Sequence, residues 1–425
     1  MRTSLREVYI LLFKAPRGTS DLLPDMQKYA RYIEKIASEL SSLYGYTRVD
    51  TPTFEESSLF VRSVGEGTDI VDKEMYSFDD RGGDSMTLRP EGTASICRAY
   101  LEHGMHNLVQ PVRLHYFCSV FRYERPQAGR YREHHQFGAE AIGDSDPSVD
   151  IEIIKFAYDL IKEIGLTKTN LFINSIGDNN CRPKFVKELT EYYESFRSEL
   201  CEDCLKRIER NPLRLLDCKN TQCSKLSENA PKCVDYLCNE CGEHWELVKQ
   251  YLMNLDIPFI VDHKLVRGLD YYTKTVFEIQ PADVGGQSTI CGGGRYDALI
   301  EQIGGKPVPA MGFATGIERL TLNLIKENID IPEIKSPDYL VVNIGDSARP
   351  VAIKIAAQIR DRGAGAILAN GAKGLRGQMR QANSLDVPYV IIIGDSEIEN
   401  NELVVKDMAS SEQNVCSVSD FLKSL

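Results

Sequence analysis

Arg113-Leu-His-Tyr-Phe-Cys-Ser-Val-Phe-Arg-Tyr-Glu-Arg-Pro-Gln-Ala-Gly-Arg-Tyr-Arg-Glu-His-His-Gln-Phe-Gly-Ala-Glu-Ala-Ile142 reads as two strands around a loop. Leu114 to Glu124 is rich in aromatic and β-branched residues, which suit a strand. Pro126-Gln-Ala-Gly129 marks a turn or longer loop. The return segment alternates, with Arg132, His134, Gln136, Gly138 and Glu140 on one face and Phe137, Ala139 and Ala141 on the other. Arg122 and Glu124 share a face of the first strand. The hairpin thus carries five arginines and three carboxylates. A freely solvated ribbon could carry them, but the flanking positions are too apolar for that. A polar face beside a core is the expectation.

Outward from the hairpin, 425 residues bound two or three domains with sizeable cores. No apolar run approaches the ~20 residues of a membrane span, so no membrane association is expected. Residues 1–14 read as a leader, disordered or outside the native start, because Lys14 interrupts a short apolar segment and no cleavage site follows. A net charge of −12 argues against nucleic-acid binding over the whole surface, though not through a local basic patch. Twelve cysteines, seven of them from Cys201 to Cys241, are many for a protein read as cytoplasmic. A reduced or metal-bound cluster is expected there rather than disulfides.

A helix follows Pro24, with Ile33, Ile36, Ala37, Leu40 and Leu43 at helical spacing and Gly45 as its stop. Tyr46 to Phe54 reads as a strand, and residues 75–78 and 85–89 as a hairpin. A helix after Arg89-Pro-Glu-Gly-Thr93 buries Ile96 and Tyr100. Glu91 alone is there read as a carboxylate complementing the helix dipole. Another helix starts at Ser148, and 171–175 is a short strand. Residues 180–250 form a helical, Cys-rich insertion. Strands return at 259–264, 271–280, 288–291 and 310–316, the last running into a helix. Residues 331–337 link this unit to a strand–helix alternation over 338–425, a small α/β domain. Residues 15–330 read as α+β on a largely antiparallel sheet.

Three arginines stand where packing does not ask for them: Arg122 on the hairpin, Arg267 beside Gly268, and Arg319 near the start of a helix. Converging guanidinium groups suit a polyphosphate or a transition state that develops charge. Neither a Walker loop nor a dinucleotide fingerprint is present. Gly292-Gly-Gly294 says only that something approaches the backbone closely.

Arg122-Tyr-Glu-Arg-Pro126 with Gln136-Phe-Gly-Ala-Glu140 resembles motif 2 of class II aminoacyl-tRNA synthetases. Gly45-Tyr-Thr-Arg-Val-Asp-Thr-Pro52 resembles motif 1, the dimer-forming element, and Gly312-Phe-Ala-Thr-Gly-Ile-Glu-Arg-Leu320 resembles motif 3. Leu265-Val-Arg-Gly-Leu-Asp-Tyr-Tyr272 and Gly293-Gly-Arg-Tyr-Asp297 resemble two peptides peculiar to histidyl-tRNA synthetases, and Thr87-Leu-Arg-Pro-Glu-Gly-Thr93 agrees. The resemblance runs from Ala15 to the C-terminus. It implies a class II catalytic domain with a helical insertion, then an α/β anticodon-binding domain. It also implies ATP-dependent ligation of L-histidine to tRNA(His) through histidyl-adenylate, with Mg2+ on the ATP, in a homodimer.

By the same resemblance, Arg122 and Arg267 are catalytic. Arg122 grips the α-phosphate, Arg319 the outer phosphates, and Arg267 stabilises charge on the α-phosphate. Glu124 helps hold Mg2+. Glu91, Gly92 and Thr93 bind the amino group of histidine, Gln136 lies near its carboxylate, and Glu140 and Tyr272 read the imidazole with Tyr271 beside them. Arg125 and Gln127 meet the acceptor end of the tRNA. Lys373, Arg376 and Arg380 form a basic patch for the anticodon arm. The rival implication is a catalytically inactive, histidine-binding paralogue that regulates histidine biosynthesis.

His134 departs from the family pattern, which has an aromatic residue there. It is expected to be a satisfied surface histidine, with an altered ligand or tRNA-end contact as the alternative. Cys201-Glu-Asp-Cys204 and Cys238-Asn-Glu-Cys241 are two C-x-x-C pairs, the spacing of a structural Zn2+ site, with Cys218, Cys223 and Cys233 between them. The resemblance does not require zinc, and free thiols are the other reading.

Overall fold

A computed structural model describes residues 13–65, 68, 70–125, 129–282, 289–333 and 336–425. All but the last two residues of the expected leader, and Gln127, fall outside these. The chain divides into two compact units, Met1–Ile331 and Pro332–Leu425.

The first unit is built on an eight-stranded sheet. Its order is Thr47–Arg48, Val112–Phe121, Glu133–Ile142, Ala310–Gly316, Cys291–Arg295, Thr273–Pro281, Thr169–Ser175 and Ile260–Val261. Only the pairings of its two short edge strands are parallel. Val112–Phe121 and Glu133–Ile142 pair antiparallel along their whole length, with Tyr116 opposite Gly138 and Leu114 opposite Glu140. Directly opposed residues share a face, so the parity of the sequence becomes two surfaces. Phe137, Ala139 and Ala141 pack with Phe156 and Phe313 in the main core. The helices Pro24–Leu43, Pro147–Glu163, Asn239–Asn254 and Ile317–Lys326 contribute to that core. On the even-numbered face Val112, Leu114, Cys118, Val120 and Ile142 pack in a second core, and Gln136 and Glu140 are left for function.

Local chemistry sets the boundaries. Gly45 has φ +76°, a conformation glycine adopts without strain, and it ends the first helix. Leu43, expected inward, is exposed. Asp146 caps Pro147–Glu163 by accepting from the Ser148 N–H at 2.8 Å. The strand expected over 46–54 is only Thr47–Arg48, because buried Arg89 takes the Thr51 and Pro52 carbonyls through Nη1 at 2.8 and 3.0 Å. Phe54–Glu56 then joins a separate sheet with Ser85–Leu88 and Tyr76–Asp79. The glycine run is itself the strand Cys291–Arg295, and the short helix Leu299–Gln302 follows it.

The second unit is a five-stranded sheet in the order Ala366–Leu368, Tyr339–Asn343, Tyr389–Ile393, Glu402–Asp407, Gln413–Ser417. Its first three strands are parallel and the last two antiparallel. Helices Ala348–Arg360 and Leu375–Leu385 follow the first and second strands of the alternation. Arg376 and Arg380 lie on the latter helix and Lys373 just before it, all exposed. No helix among the described residues is long and apolar enough to cross a membrane.

Candidate active site

The even-numbered face of the hairpin opens into a cavity of about 280 Å³. Glu91, Thr93, Arg122, Glu124, Gln136, Glu140, Arg267, Tyr271, Tyr272 and Arg319 all line it. Gly92 lies buried beside it, whereas Arg125 is exposed and off the cavity wall.

Glycines make the room. A Cβ on Gly138 would lie 2.3 Å from the Tyr116 ring, and one on Gly312 would lie 1.6 Å from Glu140 Oε2. A Cβ on Gly292 would meet the Arg267 guanidinium at 2.6 Å. The close approach inferred for Gly292 is that of a side chain of this same chain.

One end of the cavity carries carboxylates and phenols. Buried Glu140 accepts from Thr93 Oγ1 at 2.7 Å and from the Tyr296 hydroxyl at 2.6 Å. Burial raises its pKa to about 8, against the lowering effect of the Tyr296 and Thr93 hydroxyls. Glu91 accepts from the Thr93 and Ala94 N–H groups at 2.6 and 2.8 Å, so it caps the helix Thr93–Glu102 while facing the cavity. Burial raises its pKa too, against those N–H bonds. Tyr116, Tyr271, Tyr272 and Tyr296 are likewise raised by burial and remain O–H donors.

The other end is cationic. Arg122 Nε donates to Pro90 O at 2.8 Å, and Arg319 holds Gly129 O and Thr289 O at 3.1 and 2.7 Å. Burial, then Arg130, lowers the Arg319 pKa, with Arg122 adding to it and Glu124 opposing. Such crowded cations favour a polyanion. Arg267 is paired with Glu278, which also accepts from Gln280 Nε2 at 2.8 Å.

Five buried polar atoms that line this cavity make no hydrogen bond among the described residues: Tyr116 Oη, Glu124 Oε2 (3.6 Å from Arg130 Nε), His134 Nδ1, Gln136 Oε1 and Arg267 Nε. Unmet hydrogen-bonding capacity on one concave wall marks a site for a polar ligand. It also corrects the reading of His134, which is not a satisfied surface residue. Its pKa falls to about 4 through burial and the neighbouring Arg122. The exposed member of the pair is His135, which bonds Glu318 at 2.7 Å.

Sequence reasoning missed Tyr116, Tyr296 and Glu278. Tyr116 shares parity with Arg122 and Glu124, a signal that was present. Tyr296 stands in the glycine-rich peptide beside Arg295, whose role is structural. Arg295 and Asp150 form a fully buried ion pair, and Asp150 also bonds His244 at 2.6 Å and Thr275 Oγ1 at 2.7 Å.

The zinc set expected from the two C-x-x-C pairs is wrong in its membership. Cys201 and Cys204 gather with Cys218 and Cys223, whereas Cys238 and Cys241 gather with Asp178 and Cys181. Cys201 caps the helix Glu202–Arg210 and Cys238 caps Asn239–Asn254, so the two pairs begin different helices and do not share a site.

An antiparallel sheet holding arginines at one end of a cavity, with carboxylates and phenols at the other, is the arrangement expected of a class II aminoacyl-tRNA synthetase. The profile described as Histidyl-tRNA synthetase matches residues 18–320, and that described as Anticodon binding domain matches 338–425. Histidine–tRNA ligase of Dehalococcoides mccartyi is 51% identical over 95% of this chain and 96% of its own. That of Halothermothrix orenii is 49% identical over 94% and 96%. The crystal structure of apo S. aureus histidyl-tRNA synthetase is 39% identical, with a TM-score of 0.82 over 97% of this chain and 99% of that one. The chain belongs to the histidyl-tRNA synthetase family.

Proposed function

We propose that the protein is a histidine–tRNA ligase that activates L-histidine with ATP and passes it to tRNA(His). The observation that carries this reading is the divided cavity, with arginines at one end, a buried, hydroxyl-bonded carboxylate at the other, and polar atoms without a hydrogen bond among the described residues along its wall.

In this reading Arg122 and Arg319 hold the triphosphate. The histidine carboxylate attacks the α-phosphorus, the bond to pyrophosphate breaks, and Arg267 takes up the charge developing on the α-phosphate oxygens. Its fork is held by Glu278, leaving Nε free to donate. Glu124 Oε2, buried and without a hydrogen bond among the described residues, fits a carboxylate that helps hold nucleotide-borne Mg2+. That ion would neutralise phosphate charge. Glu91 and Thr93 receive the amino group, and the Gln136 side-chain amide would donate its N–H to the carboxylate. Glu140, with Tyr271, Tyr272 and Tyr296, reads the imidazole. A site built to hydrogen-bond both ring nitrogens rejects ligands lacking them by ~10⁴-fold or more. In the second step a terminal ribose hydroxyl of the tRNA attacks the histidyl carbonyl and AMP leaves. Arg125 and Gln127 would meet that tRNA end, and the patch of Lys373, Arg376 and Arg380 the anticodon arm.

A homodimer is the inferred assembly. The exposed Phe54 and Phe78 rings, 6.2 Å apart and just beyond motif 1, support a partner surface. The free cysteines support a reducing, cytoplasmic setting. Any zinc would be structural and away from the cavity. The inactive regulatory paralogue is not favoured, since the ligases matched here align over nearly their whole length. Transfer of labelled histidine to tRNA(His) tests the reading. Charging that requires ATP and histidine is expected, and no charging above background would overturn it.

A further inference from the structure

We propose that Cys201, Cys204, Cys218 and Cys223 bind one zinc ion as a structural tetrathiolate site in the insertion. All four Sγ atoms lie within 4.8 Å of one another. Zn–S bonds of about 2.3 Å place the sulfurs of a tetrahedron about 3.8 Å apart. Cys201 Sγ and Cys218 Sγ are separated by 3.8 Å. Three of the four residues are buried, and none is in a disulfide. Backbone donors also face the sulfurs. The Cys201 N–H donates to Cys223 Sγ at 3.3 Å, and the Cys204 and Asn220 N–H groups point at Cys201 Sγ and Cys218 Sγ. Such donors stabilise metal-bound thiolates. Free thiols packed as small apolar groups would not need to converge four at a time. A sulfide-bridged cluster would hold the sulfurs farther apart, so a single soft ion fits.

The site has a use. Cys201 and Cys204 start the helix Glu202–Arg210, and Asn211 after it donates to Asp270 at 2.6 Å. Asp270 lies in the peptide that carries Arg267 and Tyr272. Closing the loop between Cys204 and Cys218 would therefore steady the wall that positions Arg267. The second group does not carry the same argument, because Asp178 Oδ1 already accepts from the Asn180 and Cys181 N–H groups at 2.9 and 3.2 Å.

The test is elemental analysis of the full-length protein, purified in reductant without added metal, beside the double variant Cys218→Ser/Cys223→Ser. The variant is expected to hold one equivalent of zinc fewer than the wild type, whatever the second group binds. Equal zinc in the two, iron in place of zinc, or a wild type with less than about a tenth of an equivalent overturns the proposal. If the variant does not fold, cobalt exchanged into wild-type protein decides. The absorption of a tetrahedral cobalt tetrathiolate is expected, and a spectrum without thiolate charge-transfer bands overturns the site.

Discussion

Glu140→Gln separates the buried carboxylate's charge from its shape. The amide still accepts from one hydroxyl but cannot ionise. Glu140 has a folded-state pKa of about 8, above the usual 4.5. A pKa raised on folding means that the native state holds the extra proton. Stability is therefore fully present below the unfolded value and is lost as pH rises through the folded one. At 1.36 kcal/mol per unit, ionising Glu140 should cost the ligand-free wild type about 4 kcal/mol between pH 5 and 9, and Glu140→Gln nothing. Denaturant titration of both proteins across that range, followed by Trp245 fluorescence, gives the difference directly. The variant should gain on the wild type by several kcal/mol as pH rises. A difference that does not change with pH would refute the assignment. The same proton shapes ligand binding. Free Glu140 holds it up to about pH 8, and a free imidazole holds one only below about pH 6.5. If the complex shares one proton between the two, histidine affinity is flat across that interval and falls on both sides. In Glu140→Gln the alkaline fall disappears.

The remaining predictions concern neighbouring parts. Arg267→His should lower ATP–pyrophosphate exchange by ~10²-fold or more while histidine binding survives, since it removes an interaction made in the transition state; calorimetry and exchange together check this, and equal loss of binding would contradict the role. Gly292→Ala should mimic it, because the new methyl displaces the guanidinium, and it should do so with little change in melting temperature. Asp150→Asn leaves buried Arg295 with Asp297, 3.3 Å away and partly exposed, as its one carboxylate partner among the described residues, and should cost ~3 kcal/mol in denaturant unfolding. Arg376→Glu with Arg380→Glu should raise the KM for tRNA and flatten its salt dependence while leaving exchange unchanged.

The hairpin face was legible because a strand has a period of two, so Gln136 and Glu140 could be placed together before any register was known; the strand expected to reach Glu124 ends at Phe121, and Arg122 and Glu124 line the cavity from just beyond it. What parity alone cannot supply is the neighbour across the sheet. Tyr296 reaches Glu140 only because Cys291–Arg295 lies next to Ala310–Gly316, and Gly312 opposite Glu140 leaves space for the carboxylate. The cysteines failed for a related reason. Two equal C-x-x-C pairs look like one site until the chain path shows that each pair starts its own helix. The expected strand over 46–54 was cut short by a distant side chain, Arg89, which no local pattern announces. In the second unit, Glu402–Asp407 and Gln413–Ser417 were not read as strands. The latter is a largely exposed edge strand with little apolar alternation to mark it.

Histidine-dependent exchange of labelled pyrophosphate into ATP tests the central claim most directly. With the wild-type protein, exchange should require histidine and remain at background with amino acids that lack an imidazole. Exchange that ignores histidine, or none above background in protein that binds histidine, would contradict the account.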